Sequence, residues 1–328
     1  MSNLFPDSTT TTAPPSWLAD SDLHPFPVRV PRRPSAKSLL LACCLFLLTL
    51  GTCLVAGTHF AVAYAHNEVV SWDEFIRAFT LVYRNPLALA AGLPFALTLL
   101  AILLTHELGH FFACRHHHIH SSYPFFIPFP TLIGTMGAFI LIRSPIRTTR
   151  ALFDVGASGP LVGFLVAVPA LLYGIVHAKF VPGLANPAHD GIVLGSPLIL
   201  QLLAPIFHHG AKASTLLLHP VGRAAWVGLF ATSLNLLPAV QLDGGHILRS
   251  LSQRAHRVSS ILVPLLLAYL GFRFWPGWYV WAGLLVGIRF LRTLPIYNPE
   301  PLGPARYAAA FVSLIIFILC FMPAPFIE

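Results

Sequence analysis

From residue 37 onward the chain runs in long apolar stretches, broken by short segments that gather its Lys, Arg and Pro. A helix needs roughly 20 apolar residues to cross the hydrocarbon of a bilayer. The predicted spans are residues 38–63, 87–114, 152–177, 216–237, 259–275, 278–290 and 307–322, the sixth of which is short. The apolar run 192–207 falls below a span's length and carries Pro197 and Pro205. If it crossed, every later loop would change sides and the Arg-rich loops would face outward, so it is expected to be re-entrant or interfacial. The expected fold is an all-α polytopic membrane protein of about 6–7 transmembrane helices.

Charge orients these spans, because Lys and Arg are retained on the cytoplasmic side. Arg29, Arg32, Arg33 and Lys37 precede the first span and place the N-terminus in the cytoplasm. Arg115 follows the second span, Arg143, Arg147 and Arg150 precede the third, and Arg249, Arg254 and Arg257 follow the fourth. All then lie on one side. The second and fourth spans run in the same direction, so their C-terminal ends share a leaflet.

Composition agrees: 56% of residues are hydrophobic, 10% are charged, and the mean hydropathy is +0.73. The net charge of +8 resides mostly in juxtamembrane segments, with no basic face interleaved with aromatics, so nucleic acid is not an expected partner. The partner of the bulk surface is the lipid bilayer. Cys43, Cys44, Cys53, Cys114 and Cys320 show neither zinc-finger spacing nor a disulfide framework and read as small core residues. Residues 1–36 are rich in Pro, Ser and Thr and are expected to form a disordered cytoplasmic tail before one transmembrane domain, 37–328. No apolar stretch opens the chain, so the first span is expected to act as an uncleaved anchor. The tail is not Arg-rich and acid-poor like a transit peptide, which favours a bacterial inner membrane over an organelle.

Candidate chemistry sits near the end of the second span, in His106-Glu107-Leu108-Gly109-His110. Positions i and i+4 share a helix face, so both imidazoles can meet one cation. Glu107 projects beside them and can take a proton from a water that the cation activates. Two histidines do not complete a catalytic zinc site. The best third ligand is Asp243, which follows the fourth span in the same leaflet; Pro238 ends or kinks that helix, and Gly244-Gly245 permit a turn that aims the carboxylate. His246 is an alternative. The four histidines His116, His117, His118 and His120 read as protonatable interfacial side chains, and Asp154 as the N-cap of the third span.

These motifs resemble the site-2 protease family of intramembrane zinc metalloproteases. The matching residues are 106–110, Asn235…Pro238…Leu242-Asp243-Gly244, Gly134-Thr-Met-Gly137 and Ala157-Ser-Gly159-Pro160-Leu-Val-Gly163, in order across about residues 87–251. The stretch from Phe126-Ile-Pro-Phe-Pro to Asp154-Val-Gly is most similar to the chloroplast and cyanobacterial branch. The resemblance implies Zn2+ held by His106, His110 and Asp243, with Glu107 as general base. It implies cleavage of a transmembrane-helix protein substrate, often after an upstream site-1-type protease has shortened it. It also implies that residues 134–142 form a short re-entrant β-hairpin that pairs with unwound substrate, making Gly134 and Gly137 candidate substrate contacts. Asn235 would bind substrate backbone or a developing oxyanion, or else stitch helices together. Loop 178–215 is too short for the PDZ domain that several relatives carry. The competing readings are a membrane metal transporter using the same His/Asp cluster, and a non-catalytic scaffold.

Overall fold

The computed structural model describes residues 36–69, 71–181, 191, 193–208, 212–290 and 300–327. The expected tail lies outside them, apart from Ala36. In chain order come α1 (Ala36–His66), α2 (Trp72–Arg84), a 3-10 segment (Pro86–Gly92), α3 (Leu93–His116), β1 (Phe125–Pro128), β2 (Thr135–Phe139) and α4 (Thr149–Val176). Then follow β3 (Lys179–Phe180), β4 (Val193–Leu194), α5 (Leu198–Phe207), β5 (Leu216–Leu217), α6 (Pro220–Asn235), α7 (Asp243–Leu251), α8 (Gln253–Arg273), α9 (Gly277–Arg289), α10 (Pro304–Cys320) and β6 (Phe326–Ile327).

Among the described residues, four segments are long and apolar enough to cross a membrane: Ala36–His66, Pro86–His116, Thr149–Val176 and Gln253–Arg273. The other three expected spans are shorter helices of 16 (α6), 13 (α9) and 17 (α10) residues. Within the apolar run, residues 193–207 form a two-residue strand followed by the ten-residue α5. The loop expected before the second span is instead largely helical, as α2 and the 3-10 segment.

Leu40, Leu47, Leu265 and Phe272 lie exposed along α1 and α8. In water such faces would be a liability; facing acyl chains they carry no cost. The buried core gathers Phe95, Leu99, Trp226, Leu267 and Trp278 from α3, α6, α8 and α9. A second cluster joins Ile102, Phe153, Leu171 and Leu229. α3, α4 and α6 pack on one another and form the frame on which the candidate site rests.

β1 and β2 pair antiparallel, Phe125 with Phe139 and Phe126 with Ala138, with a register shift before Pro128 meets Thr135. The pair packs on α1, where Phe46 meets Phe126 edge-on at 5.1 Å between ring centroids. α4 begins after Thr148, whose side chain accepts the Ala151 N–H. Asp154 is therefore not the N-cap. It sits more than a turn inside the helix, too far from the free amides of the first turn to cap them. Its carboxylate instead takes Arg306 of α10 in a two-pronged pair at 2.8 and 2.7 Å and His117 Nε2 at 2.7 Å.

Candidate metal centre

His106, Glu107 and His110 lie on the C-terminal half of α3 and are all nearly fully buried. α6 ends at Asn235, three residues before Pro238, which excludes helical geometry for the residue ahead of it. The chain turns through residues 236–242 and re-enters helix at Asp243, the first residue of α7. That turn is tight: a Cβ on Gly244 would stand 2.0 Å from the Leu236 carbonyl oxygen. Only glycine lets the backbone close there, and closure aims Asp243 at α3.

The three candidate ligands meet. His106 Nε2 and His110 Nε2 are 3.1 Å apart, and each lies 3.3 Å from Asp243 Oδ2. Ligands bound at about 2.05 Å in a tetrahedron stand about 3.3 Å apart. The near-equilateral triangle is thus the face of a tetrahedron sized for zinc. Among the described residues it is the one cluster of three or more His, Cys, Asp or Glu able to hold a metal. His246 is not part of it, so the alternative ligand is set aside; burial pushes its imidazole down to about 4, and its Nδ1 is buried without a partner. Burial by itself would raise the Asp243 carboxyl, but His110 and His106 beside it hold it below the usual carboxylate range.

The surroundings fix the ligands' orientation. His110 Nδ1 donates to the Val155 carbonyl oxygen of α4 at 2.6 Å. A Cβ on Gly159 would lie 2.2 Å from His110 Nε2, so α4 makes room for the ring by omitting a side chain. Asn235 Nδ2 stands 3.3 Å from His106 Nε2. The backbone amide of Ile140, one residue beyond β2, faces the Glu107 carboxylate. The hairpin therefore ends beside the candidate base.

The two glycines of the hairpin differ. Gly134 has φ +84° and presses on α1, where a Cβ would come within 2.7 Å of Cys53 Cα; its carbonyl accepts the Thr52 hydroxyl at 2.6 Å. It serves to seat the loop. Gly137, at φ +102°, has open space around it. Sequence reasoning missed Val155, Ile140 and Arg306. The first two act through backbone atoms, which have no sequence signature. Gly159 entered the sequence reading only as part of the motif 157–163.

Comparison with known proteins gives concordant matches. Peptidase family M50 matches residues 94–272, more than half of the chain. A protein of Oryza sativa subsp. japonica named "Probable zinc metalloprotease EGY1, chloroplastic" is 30% identical over 292 residues, covering 85% of this chain and 49% of the relative. Its namesake in Arabidopsis thaliana is 31% identical over 298 residues, covering 87% of this chain and 53% of the relative. A protein of Oryza sativa subsp. indica named "Probable zinc metalloprotease EGY2, chloroplastic" is 31% identical over 242 residues, covering 70% and 42%. The chain spans about half the length of the curated relatives it matches. Their names place those relatives in chloroplasts, which lends the expected bacterial inner membrane no support. No solved structure matches the chain.

Proposed function

The chain belongs to peptidase family M50, the site-2 protease family, and on that premise we propose that it is a zinc endopeptidase cutting peptide bonds within transmembrane segments of membrane proteins. The observation that carries this reading is the zinc-sized triangle of His106, His110 and Asp243, with Glu107 buried on the same helical turn. His106, His110 and Asp243 hold the ion in this proposal. Bound zinc supplies the Lewis acidity that brings a water's pKa near neutrality and polarises the scissile carbonyl. Glu107 accepts the proton of the attacking water and passes it to the departing amine, work that typically accounts for 10²–10⁴-fold in rate. Asn235 directs its amide towards the oxygen that gains charge.

A helical substrate hides its peptide carbonyls in hydrogen bonds, so hydrolysis needs a locally unwound segment whose freed groups find partners. β2 is the natural partner. A strand added along it runs towards Ile140, whose amide faces Glu107. Prior shortening of the substrate by an upstream site-1-type protease suits such entry. Arg143 and Arg147 precede α4 and Arg254 and Arg257 follow α7 in the chain, so in this proposal the helix ends that carry the metal site face the side where cations are retained. Residues 37–328 serve as one catalytic membrane domain, its core at about 87–251.

Glu107→Gln is the decisive variant. Reconstituted in vesicles with a single-span reporter, it should keep its zinc and lose cleavage by at least ~10²-fold. Undiminished cleavage would sink the assignment. Zinc flux across vesicles, equal in both forms, would favour the transporter reading instead.

A further inference from the structure

A groove of about 570 Å³ runs along the first half of α8, outside the metal centre. Its mouth carries Arg254 and Ser252, and its walls are Leu248 of α7 with Val258, Leu262 and Leu266 of α8. Arg254 is exposed and makes no ion pair among the described residues. From Arg254 to Leu266 the helix climbs about 18 Å, close to the depth of a single leaflet, about 15 Å. The cation therefore stands at headgroup level, and the apolar walls descend through one leaflet. The mouth lies at the metal-site end, because His256, two residues from Arg254, contacts the Val240 carbonyl at 2.9 Å in the turn leading to Asp243.

We propose that this groove is a binding site for a phospholipid with an anionic headgroup, its phosphate on Arg254 and Ser252 and one acyl chain along Val258, Leu262 and Leu266. Charge favours that occupant: a cation without an internal partner at headgroup level selects anionic over zwitterionic lipid. The groove's inner wall includes Ser259, whose hydroxyl donates to the Pro238 carbonyl, so the lipid lies one side chain from the turn that aims Asp243.

The test reads lipid, not proteolysis, so it stands or falls independently of the peptidase reading. Full-length protein is purified from nanodiscs of phosphatidylcholine with a minor share of phosphatidylglycerol, and retained lipid is counted by native mass spectrometry. The unmodified chain should retain phosphatidylglycerol in preference. Arg254→Gln should retain about fivefold less, the factor that one Arg near an anionic surface supplies. Leu262→Trp, which fills the apolar wall and leaves Arg254 in place, should lose retention as well, and decides the matter if Arg254→Gln does not fold. Equal retention by the unmodified chain and a folded variant overturns the proposal. So does a photo-crosslinker at position 262 that captures a reporter helix or a second copy of the chain instead of lipid.

Discussion

His110 donates from Nδ1 to the carbonyl oxygen of Val155 at 2.6 Å, and this bond ties α3 to α4 at the metal centre. A carbonyl only accepts, so it fixes the proton on Nδ1 and leaves the Nε2 lone pair for a cation. Asp243 is steered from a different element, the tight turn before α7.

The clearest test of that arrangement is Gly159→Ala. The added methyl would stand 2.2 Å from His110 Nε2, far inside contact distance, so the ring must move. Zinc content should fall, and reporter cleavage should drop with it by at least ~10²-fold, since a ligand displaced by an ångström is lost. Gly283→Ala is the control: nothing lies within 4 Å of its Cβ position, so zinc should be unaffected. Full zinc occupancy in purified Gly159→Ala would refute the close fit.

Asn235 invites a different reading from kinetics. Its amide stands 3.3 Å from His106 Nε2, an atom whose lone pair a bound cation would occupy. The amide is then free to meet substrate. Asn235→Ala should retain zinc and thermal stability while losing about 10²–10³-fold in kcat, the range for removal of one oxyanion donor. Were Asn235 a helix stitch only, the melting temperature would fall and kcat per zinc would not.

The parts of this site that sequence could reveal are those written in side chains at fixed spacing. His106 and His110 are i and i+4 on a helix, and Asp243 was reachable because charge placed the ends of two parallel helices in one leaflet. The apolar runs likewise give the four long helices. α2 falls between two predicted spans, where Asp73, Glu74, Arg77 and Arg84 break the apolar run that marks a span, although Ile76, Phe79 and Tyr83 recur at helical spacing. Asp154 was misread because a cap is decided by where the first turn starts, which Thr148 fixes. Its partner Arg306 lies 152 residues away with no periodicity to link them.

That pair should contribute measurably to stability. Asp154 and Arg306 are both partly buried, and their two parallel hydrogen bonds at 2.8 and 2.7 Å are of the strong, charge-assisted kind. Asp154→Asn or Arg306→Gln should each cost about 2 kcal/mol, between the values for exposed and fully buried pairs. The double variant should cost clearly less than the two singles added, as seen by thermal unfolding in detergent. Simple additivity would mean that the two residues do not act on each other.

Val240 carries the last prediction. It has φ +44°, a left-handed conformation that costs a β-branched residue about 1–2 kcal/mol. Two contacts from α8 hold it there: the Ser260 hydroxyl accepts its N–H at 3.0 Å, and His256 Nε2 donates to its carbonyl at 2.9 Å. Asp243 follows three residues later, so the strain is held at the base of the turn that aims a zinc ligand. Ser260→Ala removes one brace and leaves a buried N–H unsatisfied, a loss of about 1–3 kcal/mol. Val240 can then relax towards right-handed geometry and carry Asp243 off line, so zinc should be surrendered to a chelator more readily. Glycine has no such incentive to relax. Val240→Gly placed in the Ser260→Ala background should therefore recover part of the lost zinc retention, even though it also deletes a buried side chain worth about 2 kcal/mol. Competition with a chelator separates the outcomes: a double variant that holds zinc no better than Ser260→Ala alone means that the strained residue does not set the direction of Asp243.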